Sequence, residues 1–200
     1  MLSPECVLEP LSTRAVAPFS AGIAKATSVA SAQRLARVIG SVMGHAQTGD
    51  LPLFAWTLGL PQDRLLQMIA TLFPELGQIE PVSAAKYATL LRREPPLFAE
   101  LVAWLSAQGS SGHAANHVEW MARAVAAAAQ GERHLWQDMG LRQRSELSSV
   151  LQDYFPALHA RNTAALKWKK FLYLSMGADR GIANVHGSRL HPQMMKQTLP

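Results

Sequence analysis

Leu35-Ala36-Arg37-Val38-Ile39-Gly40-Ser41-Val42, within residues 31–45, is the stretch that decides the fold class. Leu35, Val38, Ile39 and Val42 recur at intervals of three and four, which places them on one face of a helix. Thr48-Gly49-Asp50 closes the pattern. The same reading carries outward. Asp50-Leu51-Pro52 caps a short turn of helix that ends at Gly59, and Pro61 opens a helix through about Phe73 that Pro74 stops. Ser83 to Arg93 and Pro95 to Gln108 read as two more helices, the second with Leu97, Leu101 and Trp104 on one face. Beyond the Gly109-Ser110-Ser111-Gly112 connection, an Ala-rich helix is predicted from His113 to Gln130. A short turn at 134–139 follows, then a helix from Ser145 to Phe155 ended by Pro156. The last helix is predicted from Asn162, as its cap, to Met176. No window alternates with period two, so the chain is predicted to be all-α, a compact helical bundle with flexible N- and C-terminal arms. Residues 1–28, rich in Ser, Pro, Ala and Gly, read as a disordered arm, 29–176 as the helical domain and 177–200 as a flexible tail.

One pattern recurs. Trp56-Thr57-Leu58-Gly59-Leu60, followed by Leu66, Ile69 and Phe73-Pro74, returns as Trp136-Gln137-Asp138-Met139-Gly140-Leu141, followed by Leu147, Val150 and Phe155-Pro156. Each copy follows a helix containing Ala-Arg, at 36–37 and at 122–123. Duplication of a helix–turn–helix unit is the economical explanation, with two units packed face to face. The alternative is chance recurrence among apolar helices.

The 200 residues are 48% apolar and 16% charged, a composition that folds. A single cysteine, Cys6, excludes a disulfide framework, a Cys-rich zinc module and an all-thiolate iron–sulfur site within one chain. The net charge of +5 is local: residues 161–200 hold seven Lys/Arg against Asp179, so a nucleic-acid-binding reading of the whole chain has little support. No apolar run approaches membrane-spanning length, and Glu5 and Glu9 stand where a signal peptide would need a basic start. The expected compartment is the cytoplasm.

No Gly-rich phosphate loop, Gly-x-Ser-x-Gly elbow or His-Glu-x-x-His pair is present. His113 and His117 stand four apart with Glu119 nearby, a spacing that suits a metal and equally suits two solvated histidines. His134, Trp136 and Asp138 form a compact turn in which Trp136 is expected to pack between the repeats while the polar pair caps helix ends. Lys167, Lys169 and Lys170, interleaved with Trp168 and Phe171, are expected on or near the solvent side, as a basic face or as contacts for an oxyanion. In the tail, His186, His191 and Met194-Met195 offer imidazole and thioether, both ligands for softer transition metals.

The run His134 to Leu141, then Arg144-Ser145-Glu146-Leu147, Phe155-Pro156-Ala157-Leu158, Arg161-Asn162 and Lys167-Trp168-Lys169-Lys170-Phe171-Leu172-Tyr173 resembles the NifQ family of nitrogen-fixation proteins associated with molybdenum. Leu58-Gly59-Leu60 with Phe73-Pro74 is similar to the family's first unit, and the likeness covers roughly residues 30–176. It implies an iron–sulfur protein that takes up molybdenum and passes it to the nitrogenase cofactor-assembly proteins making the iron–molybdenum cofactor. Such a protein is a carrier and not an enzyme. The family's cluster is expected on cysteines spaced Cys-x4-Cys-x2-Cys-x5-Cys just after the Lys-Trp-Lys-Lys-Phe helix. Here the helix-end position falls at Gly177 and the tail holds no cysteine, although His186-x4-His191-x2-Met194 reproduces the first two intervals, with Pro200 at the fourth position. Two readings follow: a molybdenum carrier whose metal is held by non-thiolate residues, shared with a partner or taken as molybdate on Lys167, Lys169 and Lys170, or a cluster-free paralogue acting as a helical interaction module without metal.

Overall fold

The structure, a computed structural model, describes the backbone of residues 17–181 and side chains from Val29 onward. In chain order the helices are α1 (Ala17–Thr48), α2 (Gln62–Leu72), α3 (Ala84–Leu91), α4 (Phe98–Ser106), α5 (Ala115–Ala128), α6 (Leu135–Asp138), α7 (Arg144–Tyr154), α8 (Pro156–Arg161) and α9 (Trp168–Asp179). Two 3₁₀ turns, Leu53–Thr57 and Pro74–Leu76, lie after α1 and α2. There is no strand among the described residues, and the chain is all-α.

The bundle is built around α5. From Trp120 to Ala128 each of its residues except Arg123 is buried. A helix apolar on every side must be surrounded, and its alanines let neighbours approach closely. Both α1 and α4 lie against it. Leu35, Val38, Ile39 and Val42, the stripe on α1, are each fully buried. α1 runs parallel to α5: Ser31 meets Tyr154 and His113 near the start of α5, and His45 meets Asp138 just beyond its end.

Four boundaries differ from the sequence reading. α1 begins at Ala17, so residues 17–28 of the expected arm are helical. Alanine and serine allow a helix there without marking an apolar face, and Pro18 sits in the first turn, where its missing N–H is harmless. Pro156 both ends α7 and opens α8, a helix not anticipated. The last helix starts at Trp168, because Asn162 organises a turn instead of capping it. Asn162 Oδ1 accepts from Leu166 N–H at 2.9 Å, its Nδ2 donates to Leu166 O at 3.1 Å, and Ala165 adopts φ +50°. Finally, α9 continues through Asp179, which places Gly177 inside a helix and not at its end. Cys6, His186, His191, Met194 and Met195 lie outside the described residues.

The two recurring segments share local geometry. Phe73 and Phe155 end their eleven-residue helices at φ −134°, ψ 59° and φ −137°, ψ 62°, each followed by proline. Gly59 and Gly140 both hold φ +65°. Contacts also cross between the segments. Arg37 on α1 reaches Glu146 of α7 at 2.6 Å, and Arg123 on α5 donates to the carbonyls of Leu58 and Gly59, both at 3.1 Å.

Candidate functional site

Asp138 ends α6 and is completely inaccessible to water. A buried carboxylate is tolerable only if cations and donors surround it. Here Lys169 Nζ lies 2.6 Å from Oδ2 and Arg133 Nε 2.9 Å from Oδ1. Lys169 also donates to Gly131 O at 2.7 Å, and Arg133 Nη1 lies 3.4 Å from Asp50. The Asp138 carbonyl accepts from His45 Nδ1 at 3.0 Å, which puts the ring proton on that nitrogen. Gly131, which ends the α5 segment, is what lets the carboxylate in: a Cβ there would collide with Asp138 and Leu51. The ends of α1 and α5, the whole of α6 and the start of α9 therefore meet at one buried charge.

The outcome for the three lysines is divided. Lys169 is not on the solvent side; its ammonium belongs to Asp138, and burial lowers its pKa, opposed by the hydrogen bond and charge of Asp138. It shares a helical stripe with Leu172, Tyr173 and Met176, all buried, and that spacing was the signal in the sequence. Lys167 is exposed and Lys170 half-buried. The first turn of α9 holds no acidic residue and its N-cap makes no side-chain bond, so its positive end lies beside both. At the other end of α9, Arg161 grips Asp179 through two bonds of 2.7 and 2.8 Å, and Trp104 Nε1 adds a third at 2.9 Å. These donors hold the Asp179 carboxyl below its usual range and offset the cost of an acid at a helix C-terminus. Helix α9 is thus pinned at both ends.

The remaining candidates are spent on packing. His134 is the N-cap residue of α6, where its N–H donates to Gln137 Oε1 at 3.1 Å, and Trp136 is half-buried against the core. Asp138 is an ion-pair hub and not the helix cap that the turn suggested. His113 stacks on Tyr154 at 4.1 Å, with Nε2 3.1 Å from Asp153 and Nδ1 3.4 Å from Ser31 Oγ. His117 packs by Trp120, its pKa lowered by burial and then by His113, and Glu119 pairs with Arg123. Among the described residues no three His, Cys, Asp or Glu side chains gather where they could hold a metal. His45, Arg133 and Gly131 carry no sequence signal of their own; their role appears only when α9 is in place.

A family model for NifQ matches residues 35–186, a span that contains Asp138, Lys169 and both Phe-Pro junctions. The chain belongs to the NifQ family. Protein NifQ of Azotobacter vinelandii is 35% identical over 145 residues, covering 68% of this chain and 73% of the relative. Protein NifQ of Klebsiella pneumoniae is 33% identical over 136 residues, covering 64% and 74%, and that of Rhodobacter capsulatus 36% over 69 residues, covering 34% and 38%. No solved structure matches the chain. Membership in NifQ carries a role in nitrogen fixation and molybdenum handling. A thiolate-held iron–sulfur cluster does not fit this NifQ chain, because its one cysteine, Cys6, precedes the matched span.

Proposed function

We propose that the chain binds molybdenum as its oxyanion and delivers it to the proteins that assemble the nitrogenase iron–molybdenum cofactor, as a cytoplasmic carrier that turns over no organic substrate. The observation that carries this reading is the NifQ match running through α9 into the basic C-terminal segment. Lys167 and Lys170 beside the N-terminus of α9 supply the positive field for an oxyanion, and Lys169 positions them by holding that helix start on Asp138. His186, His191 and Met194 are the proposed ligands for molybdenum beyond the helix, in place of cysteines. No helix among the described residues is long and apolar enough to cross a membrane.

The single cysteine favours a second reading, a helical interaction module that binds no metal. Anaerobic purification with iron and molybdate, followed by desalting, elemental analysis and a visible spectrum, separates the two. The carrier reading expects retained molybdenum without cluster absorbance, reduced by His186→Ala with His191→Ala. No retained molybdenum overturns it.

A further inference from the structure

Between α1, α2 and the irregular segment that follows, the fold leaves an apolar trough of about 290 Å³. Gly44, Trp56 and Phe73 line it together with Leu76, Ile79 and Val82. The last three are 57, 40 and 38% exposed. An adjoining hollow of about 350 Å³ shares Ile79, Glu80 and Pro81. Three large apolar side chains at three-residue intervals on one open surface carry a hydration cost that an occupant would remove. Among the described residues that line it, Glu80 alone is charged, and it is exposed. The trough is therefore apolar within and acidic at its rim, on a chain of net charge +5.

We propose that this trough receives the chain's own C-terminal segment, residues 182–200. Its chemistry is complementary: Leu190 follows Arg189, Lys196 follows Met194-Met195, and the segment holds no acid. Methionine adapts to irregular apolar surfaces. The N-terminal residues 1–16 have the wrong sign, with Glu5 and Glu9 against Arg14. The length suffices. Nineteen residues follow Gly181, a reach of roughly 60 Å when extended, and a domain of this size is roughly 40 Å across. The segment also holds His186, His191 and Met194, the proposed molybdenum ligands; docking requires no metal, so it is read on the metal-free chain.

Zero-length carbodiimide cross-linking of the full chain, mixed in equal parts from ¹⁴N and ¹⁵N protein and read by mass spectrometry, tests it. The expected product joins Lys196 to Glu75 or Glu80 within one isotope label. Gly44→Leu, which projects into open space at the trough, should reduce its yield at least fivefold. In parallel, amide exchange across residues 76–82 should quicken about tenfold in Leu190→Glu with Met195→Glu, a change that leaves the proposed ligands in place. Mixed-label links would assign the segment to a second copy and overturn the proposal. So would Lys196 links spread evenly over other carboxylates, or unchanged exchange in the double variant.

Discussion

Asp138 and Lys169 join α6 to the start of α9, and their pairing can be tested singly and together. Asp138→Asn leaves the Lys169 ammonium buried without its anion, and Lys169→Met leaves the carboxylate with Arg133 alone. Each change should cost about 3–5 kcal/mol in urea denaturation, because a lone buried charge is worse than none. The double variant should lose clearly less than the sum, and strict additivity would show that the pair is not coupled. The sequence offered only part of this. Lys169 reads as part of a basic face near solvent although it shares a helical stripe with Leu172, Tyr173 and Met176, and its anion lies 31 residues earlier in a turn whose polar pair reads as helix caps. Burial of Asp138 is created by Gly131 and by α9 arriving from elsewhere, which no local pattern encodes.

At the level of elements, the turns are more legible than the helix ends. Gly140 holds φ +65° and faces Ser41 of α1 so closely that a Cβ would collide with it. Gly140→Ala should therefore cost at least about 1–2 kcal/mol, the penalty of the left-handed region alone. Gly44, in the interior of α1, is the opposite case: a Cβ there meets nothing within 4 Å. Gly44→Ala should raise stability by about 0.5–1 kcal/mol, read as a higher midpoint in the same titration. The Phe-Pro stops at 73–74 and 155–156 were legible because proline cannot continue a helix. The start of α1 was not, because Ala17 to Ser28 supports a helix without showing which side is buried. The stretch 162–167 failed for the reverse reason: Asn162 is a cap residue whose side chain closes a turn on Leu166.

The whole molecule carries its polarity in few places, and its response to pH follows. All three tyrosines have raised pKa values, Tyr87 and Tyr173 to about 12, chiefly through burial, and Tyr154 in the same direction for the same cause. The native state then holds protons that the unfolded chain releases above pH 10, so their contribution to stability is complete below that value and falls as pH rises toward 12. Phenolate absorbance should consequently appear together with loss of helical circular dichroism; phenolate formation ahead of unfolding would contradict the burial. The proposed function rests on a different part of the same molecule, the start of α9, where Lys167 and Lys170 are the proposed oxyanion contacts. Equilibrium dialysis of the full chain against molybdate at low ionic strength measures that assignment most directly. The account requires saturable molybdenum retention by the wild type and its loss in Lys167→Ala with Lys170→Ala, with the fold intact by circular dichroism. Equal molybdate on both sides of the membrane for the wild-type chain would contradict it.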